Sequence, residues 1–276
     1  MSSYENYTKT AGTYDYTRHS VGIDIIAGCL GRSNVPLAQQ LLLDAGCGTG
    51  NYSRAMIDHV GHIVAVDMNA NMLSQARSKF PEPSMSRVKF HRSSITQLPF
   101  KPSTFDGIMI NQVLHHVTDD ALSGFPETRA VIMEFARVLK PNGVLTINIC
   151  SQQQLTRGFW YCALIPEEAL SMCARHIPLA GLAALLEECG FENRGRIVPV
   201  DAVLQGPAYF NPRGPLDPSW RDGDSIWSTV PPERLEQICA RLRQLDREGM
   251  LVEFFRAQDA DREDIGQVTF IHARRK

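Results

Sequence analysis

The sequence predicts an α/β fold in which a mostly parallel sheet lies between two layers of helices. Short apolar runs alternate with helix-compatible segments over residues 41–149, as in parallel strands joined by crossover helices. The run Leu41–Ala45 is followed by three glycines at alternate positions and then by a helix-compatible segment. A second run, His62–Asp67, also ends in an acid. A buried strand, a glycine turn and a helix N-terminus in this order can bind the polar part of a ligand.

The same patterns place the individual elements along the chain. Strands are expected near 41–45, 62–67, 87–91, 105–110, 143–149, 196–203 and 268–273. Helices are expected near 21–30, 51–59, 69–79, 127–139, 178–189 and 232–248. Two stretches that are rich in bulky residues, proline or glycine, 151–177 and 205–230, interrupt the alternation. We expect them to cover a substrate as a small lid.

Asp67 is the second informative residue of this pattern. It follows Gly46 by 21 positions, close to the separation of about 20 at which an acid binds a ribose hydroxyl. An alternative is that Asp67 only caps the helix that begins near Asn69. The glycine spacing G-x-G-x-G also places the third glycine one position earlier than the dinucleotide-binding fingerprint does.

Length and composition bound the possible functions. A chain of 276 residues suits one domain with insertions or with a small cap. The net charge of −2 argues against a nucleic-acid partner, which needs a basic face. We see no apolar run near the ~18 residues that span a bilayer, and residues 1–6 lack a signal-peptide pattern. Seven cysteines without C-x-x-C pairs indicate reduced thiols, so we expect a cytoplasmic protein without a membrane partner, monomeric or homodimeric.

Five segments resemble the class I S-adenosylmethionine (SAM)-dependent methyltransferases. The likeness is greatest to the small-molecule group that includes the ubiquinone/menaquinone-type enzymes. The segments occur in the family's order and are Leu42–Gly50, Val64–Leu73, Leu98–Phe100, Phe105–Ile110 and Arg137–Leu145. The resemblance implies a Rossmann-like sheet of seven strands, mostly parallel with an antiparallel last strand. It further implies an N-terminal cover (1–40), a SAM-binding core (41–150) and a remainder of the sheet with its lid (151–276).

The resemblance also implies which residues hold SAM. Asp44 and the glycine turn should surround the methionyl part and the ribose, Asp67 the ribose hydroxyls, and Met68 the adenine. Relatives often carry an acid after the third strand, but here Ser94 or the backbone of Ile95 must substitute for it. The remaining members of the expected cofactor set are Gly46, Cys47, Gly48, Gly50, Asn111, Tyr14 and Arg18. For Arg18 two roles stay open, a contact with the cofactor carboxylate or an ion pair with Asp15.

Candidates for catalysis and acceptor binding are less specific. His115 and His116 follow the fourth strand, and either imidazole is a candidate general base or a packed side chain. Five aromatic side chains are candidates for an acceptor pocket, and the alternative is that they pack in the core or the lid. They are Tyr7, Trp160, Tyr161, Trp220 and Trp227.

The expected activity is methyl transfer to an O, N or S nucleophile of a small molecule in a closed pocket. In-line displacement on a sulfonium needs alignment and exclusion of water more than covalent help. We expect no metal, because Asn111 and Cys150 follow strands four and five, where metal-dependent relatives carry carboxylates. Alternatives are a SAM-binding regulator or scaffold without catalysis, and an arsenite- or thiol-type methyltransferase, although the spacing of Cys150, Cys162 and Cys173 lacks that pattern.

Overall fold

The computed structural model describes residues 14–117 and 120–276 and contains one seven-stranded sheet. Its strands, numbered along the chain, are β1 (Leu41–Ala45), β2 (His62–Asp67), β3 (Val88–Arg92), β4 (Phe105–Asn111), β5 (Leu139–Ile149), β6 (Phe191–Ile197) and β7 (Thr269–Arg275). They lie in the order β3-β2-β1-β4-β5-β7-β6. Strands β1 to β5 pair in parallel, whereas β7 runs antiparallel to both β5 and β6. The expected seven-stranded sheet with an antiparallel last strand is therefore confirmed.

Helices surround this sheet and continue through the lid. Those of the described chain are α1 (Ile23–Leu30), α2 (Asn51–Met56), α3 (Ala70–Ser78), α4 (Pro126–Val138), α5 (Gln152–Arg157), α6 (Pro166–Arg175), α7 (Leu179–Glu188), α8 (Pro218–Asp222), α9 (Pro232–Arg247), α10 (Leu251–Asp259) and α11 (Arg262–Ile265). Short 3-10 turns join several of them, including Tyr14–Tyr16, Trp160–Ala163 and Trp227–Thr229.

Alternation along the strands gives the sheet two buried faces. Leu42, Ile63 and Met109 belong to one core with helices α1 to α3 and the lid, whereas Leu43 and Val64 belong to the other with α4 and α7. Near-continuous apolar strands are what a parallel sheet covered on both faces requires. The polar residues that follow the strands are consequently gathered at their carboxyl ends, where open α/β sheets bind ligands.

The sixth strand differs from the sequence expectation. It was expected over 196–203, but β6 begins at Phe191, directly after Gly190 ends α7 with φ 86°. Strand β6 is an edge strand whose Glu192 and Arg194 are partly or fully exposed, so its polar composition hid the strand signal. The apolar residues that suggested the later position, Ile197 to Val200, lie where the chain leaves the sheet.

One helical stretch differs from the expectation that no apolar run approaches the length of a membrane span. The stretch Pro166–Glu188 contains an apolar window long enough to cross a membrane by length and composition alone. In the fold this stretch is two helices, α6 and α7, which separate before Pro178, and Leu182 and Leu186 of α7 are fully buried in the core. Core helices of globular proteins pass the same test, so the window is weak evidence for a membrane contact.

Candidate cofactor and acceptor site

The three glycines after β1 have three different tasks. All have positive φ, at 76° for Gly46, 53° for Gly48 and 79° for Gly50. A Cβ on Gly46 would lie 2.7 Å from the side chain of Val113, and one on Gly50 would lie 2.9 Å from Ala76. A Cβ on Gly48 would meet nothing within 4 Å. Gly46 and Gly50 therefore allow close packing of the turn, whereas Gly48 leaves its backbone open to a neighbouring molecule.

Asp67 fixes this turn from the end of β2. Its Oδ2 accepts a hydrogen bond from the Gly48 N–H (2.9 Å), and its Oδ1 accepts one from the Asn69 N–H (2.8 Å). Burial raises the pKa of the Asp67 carboxyl above its usual value. The cap of α3 comes from Asn69 instead, whose side chain accepts from the N–H groups of Asn71 and Met72. Asp67 is thus more than a helix cap, because it joins two ligand-facing turns.

Asp44 lies beneath the glycine turn. Its carboxyl is almost fully buried and accepts a 2.6 Å hydrogen bond from the Ser53 hydroxyl of α2. Burial raises the pKa of Asp44 to about 7, and the Ser53 hydrogen bond partly offsets that rise. The side chain therefore ties β1 to α2 and presents a polar group to the cavity above them.

A first cavity of about 270 Å³ opens above the carboxyl ends of the strands. Ten of the expected cofactor residues line it: Arg18, Asp44, Gly46, Cys47, Gly48, Asp67, Met68, Ser94, Ile95 and Asn111. Gly50 does not line it, because its backbone packs behind the turn against α3. The Ser94 and Thr96 hydroxyls lie 2.7 Å apart on its wall, at the place where relatives often carry an acid.

The wall of the first cavity includes a buried polar group, the side-chain amide of Asn111. The Asn111 amide Nδ2 is buried and has no hydrogen-bond partner among residues 14–117 and 120–276. A buried amide without a partner costs free energy, so a ligand or water acceptor at this point is favoured. Together with the open backbone at Gly48 and the carboxylate of Asp67, this donor fits a molecule with a polar amino-acid end and a ribose, as SAM has.

The start of the described chain crosses the rim of the first cavity. Asp15 accepts hydrogen bonds from Thr49 (2.7 Å) and Asn51 (2.9 Å) and forms an ion pair with Lys79 (2.5 Å). Arg18 pairs with Asp224 of the lid at 3.1 Å. The expected alternative of an Arg18–Asp15 ion pair is therefore wrong. Tyr14 begins the 3-10 turn Tyr14–Tyr16 beside this rim, whereas Tyr7 lies outside the described residues.

A second cavity, of about 60 Å³, adjoins the first. The two cavities share four lining residues, which are Arg18, Gln112, His116 and Leu204. The lid contributes Tyr161 and Asp224 to the lining of the second cavity. Cys150, which follows β5, and His115, in the loop after β4, line it as well. The arrangement is a larger cavity joined to a smaller one.

Known proteins with similar sequences are methyltransferases. A methyltransferase domain model matches residues 43–147. A demethylmenaquinone methyltransferase of Bacillus licheniformis is 29% identical over 212 residues, which cover 69% of this chain and 85% of that protein. Residues 43–147 therefore form a methyltransferase domain of the class I SAM-dependent type. A second demethylmenaquinone methyltransferase, from Listeria welshimeri, is 32% identical, but the match spans only 46% of its length.

Solved structures share the fold over nearly the whole methyltransferase. A structure titled as a putative methyltransferase from an antibiotic biosynthesis pathway, from Anabaena variabilis, superposes with a TM-score of 0.73 at 20% identity, covering 93% of this chain and 98% of that one. A geranyl diphosphate C-methyltransferase from Streptomyces coelicolor, in complex with S-adenosyl-L-homocysteine, has a TM-score of 0.56 at 14% identity, covering 92% and 78%. These likenesses show the fold, including the lid segments that the domain model leaves out.

The histidine pair of this methyltransferase divides between the cavities. His116 lines both, whereas His115 lines only the second and stacks on His176 with ring centroids 4.4 Å apart. Burial lowers the pKa of His115 well below its usual value and that of His116 to about 3, with further lowering by neighbouring cations. Burial also lowers the pKa of His176 to about 4. All three imidazoles are neutral at pH 7.

The tryptophans occupy a different place from the expected one. Trp160 and Trp220 are fully buried and donate to the backbone oxygens of Tyr209 (3.0 Å) and Ala208 (2.8 Å), and Trp227 is 5% exposed. None of the three lines either cavity. They form the aromatic core of the lid, and only Tyr161 among the described aromatic candidates reaches the second cavity. The packing alternative therefore describes the three tryptophans.

Several residues of the second cavity escaped sequence reasoning. Gln112, at φ 56°, donates to Asn148 Oδ1 (2.9 Å) and accepts from the Cys150 thiol (3.4 Å). His176 and Asp224 lie in the lid, where no motif marks them. Cys150 was noted in the sequence only for its thiol and for the absence of a carboxylate, although it directly follows β5 at the ligand-binding edge. Within residues 14–117 and 120–276, no group of three or more His, Cys, Asp or Glu side chains is placed to hold a metal ion.

Proposed function

We propose that this methyltransferase transfers the methyl group of SAM to an O, N or S nucleophile of a small molecule by in-line displacement. The observation that carries the proposal is the pair of adjoining cavities. The larger one presents the open Gly48 backbone, Asp67 and the Asn111 amide, and the smaller one is lined in part by the lid. Two compartments with four shared lining residues suit a reaction between two bound molecules.

In this proposal the first cavity holds SAM. Asp67 accepts hydrogen bonds from the ribose hydroxyls, Met68 packs on the adenine, and Ser94 or the Ile95 backbone receives the exocyclic amine. Asn111 and Asp44 face the methionyl end, and Arg18, which pairs with Asp224, lines the same cavity. When bound, SAM supplies an electrophilic methyl group on a sulfonium. The protein supplies the alignment and the exclusion of water.

The histidines have a limited role in the proposed chemistry. A general base works best when its pKa lies near the working pH, and that of His116 is lowered to about 3. A neutral imidazole still accepts a hydrogen bond and shapes the cavity wall. We therefore propose His115 and His116 as wall residues that act at most as weak bases.

Calorimetry with SAM and its demethylated product, S-adenosylhomocysteine (SAH), tests the cofactor half of this proposal. We expect both to bind, and we expect Asp67→Asn to raise the SAH dissociation constant at least ten-fold, because an amide nitrogen would oppose an N–H of Gly48 or Asn69. Asp58→Asn, at an exposed aspartate, is the control and should leave it unchanged. Absence of SAM and SAH binding to the native protein would refute the proposed function.

Turnover against a panel of acceptors tests the transfer itself. The panel should contain thiols, amines, phenols and a demethylmenaquinone analogue, because several relatives are named demethylmenaquinone methyltransferases. SAH release above background with any member supports catalysis. Binding of SAH with no turnover across the panel would favour the alternative of a SAM-binding regulator or scaffold.

The thiol-rich alternative has less support than ordinary acceptors. Cys150 and Cys162 line the second cavity, but Cys173 does not. Burial raises the pKa of the Cys150 thiol to about 12 and that of Cys162 well above its usual value. A thiol that burial holds protonated is a weaker nucleophile than a thiolate. We further propose a cytoplasmic location, which the seven free cysteines support. In this proposal the acceptor is a small molecule, there is no nucleic-acid or membrane partner, and the protein is monomeric or homodimeric.

A further inference from the structure

Among the described residues that line the second cavity, one cation and one anion are paired with each other, and Arg175 lies near enough to lower the pKa values of His115 and His116. The paired charges are those of Arg18 and Asp224, at 3.1 Å. Burial keeps the three imidazoles neutral and the two thiols protonated, as their shifted pKa values show. A lining whose two charges already pair with each other offers neither an anionic nor a cationic guest a separate counter-ion on the cavity wall.

Asp224 is held rigidly and keeps one acceptor position. Its Oδ1 faces Arg18 Nη2 and accepts from the Ile226 N–H (3.2 Å), and its Oδ2 accepts from the Tyr161 hydroxyl (2.6 Å). A carboxylate has about four lone-pair positions, so three donors leave about one, on Oδ2. The residue is 8% exposed and lines the second cavity. A fixed, buried acceptor of this kind can orient a donor on a bound molecule.

The size of the second cavity limits what enters it. Its volume of about 60 Å³ is well below the roughly 150 Å³ of an apolar cavity that holds benzene. The cavity therefore takes the reacting end of an acceptor, a few heavy atoms, rather than an aromatic ring.

We propose that the second cavity binds the nucleophilic end of an uncharged acceptor bearing an O–H, N–H or S–H group, and that Asp224 positions that group by accepting its hydrogen. The inference rests on the proposed function. With the hydrogen directed at Asp224, a lone pair of the acceptor atom can face the first cavity. An ammonium end has no lone pair to methylate, and an anionic end would meet the Asp224 carboxylate, whose Oδ1 already pairs with Arg18.

With Asp224 as the acceptor of the hydrogen, the transfer is balanced in protons and electrons. A bond forms between the acceptor atom and the methyl carbon, and the bond from that carbon to sulfur breaks with its electron pair remaining on sulfur. The acceptor's proton passes to the Asp224 carboxylate and then to solvent. No further reactant is required.

Binding of three matched probes to the SAH-saturated protein tests the inference. The probes 2-mercaptoethanol, mercaptoacetate and cysteamine share a two-carbon thiol chain and are neutral, anionic and cationic at pH 7. NMR of the protein labelled with ¹³C at its histidine rings reports binding at His115, His116 and His176. We expect 2-mercaptoethanol to shift these signals saturably, with a dissociation constant at least ten-fold below those of both charged probes.

Two variants separate positioning by Asp224 from a structural effect. Asp224→Asn places an amide donor opposite the probe's hydrogen and should weaken 2-mercaptoethanol binding at least ten-fold. Asp222→Asn, at an exposed residue of the same segment that lines neither cavity, should leave it unchanged. If Asp224→Asn does not fold, the charge series on the native protein decides the question.

The outcomes distinguish this inference from the proposed function. Equal or tighter binding of a charged probe, no saturable effect of 2-mercaptoethanol, or unchanged binding in a folded Asp224→Asn variant overturns the inference while SAH binding upholds the cofactor half of the proposed function. Failure of SAH to bind in calorimetry overturns both.

Discussion

At the scale of single residues, Gly48 provides the sharpest test of the glycine turn. Gly48→Ala adds a Cβ that meets no protein atom within 4 Å, so a steric effect on binding would come from the ligand. Because φ is 53°, the substitution also costs about 1–2 kcal/mol of stability. We expect SAH to bind at least ten-fold more weakly, measured by calorimetry.

A matched glycine controls for backbone strain in that experiment. Gly249 has φ 72°, a Cβ there would also meet open space, and it lines neither cavity. Gly249→Ala should lower stability similarly without changing SAH affinity. Equal SAH affinity in the two variants would show that the Gly48 backbone is not approached by the cofactor.

At the scale of elements, Asp15 joins the start of the described chain to the glycine turn and to α3. It contacts Thr49, Asn51 and Lys79 at once, although it is partly exposed. Asp15→Ala should cost no more than about 1 kcal/mol of global stability, because exposed ion pairs contribute little. It should nevertheless speed hydrogen exchange at residues 15–19 and increase the SAH dissociation rate several-fold in stopped-flow measurements. An unchanged dissociation rate would mean that this segment does not retain the cofactor.

The elements also show where sequence reasoning succeeds. The five parallel strands were predicted within a few residues, because their apolar runs are buried on both faces and end in recognisable turns. Asp67 and the glycines were predicted through their spacing, and ten expected cofactor residues share one cavity. Strand β6 was misplaced, because an exposed edge strand has no comparable apolar pattern. Asp224 and His176 were missed because their meeting depends on how the lid folds, which local patterns do not encode.

At the scale of the whole molecule, buried histidines link stability to pH. His176 is 2% exposed, its Nδ1–H donates to the Met172 carbonyl (3.0 Å), and burial lowers its pKa to about 4 from 6.5. A depressed pKa means that the unfolded chain binds a proton that the folded protein excludes. The contribution of His176 is therefore present above pH 6.5 and is lost as pH falls towards 4, by up to about 1.4 kcal/mol per pH unit.

The other buried groups fix the expected shape of this pH dependence. His115 and His116 change the free energy of unfolding with pH in the same direction as His176, because burial lowers both of their pKa values. Asp44 and Asp67 oppose them, since burial raises both pKa values, that of Asp44 to about 7, and the stability that these carboxyls give is lost as pH rises from about 4. Urea unfolding should therefore show a free energy of unfolding that rises with pH between about 4.5 and 6.5. His176→Gln should reduce that slope by about 1.4 kcal/mol per pH unit, whereas His59→Gln, at an exposed position, should not. A slope in His176→Gln equal to that of the native protein would mean that the neutral, buried imidazole is not a source of the pH dependence.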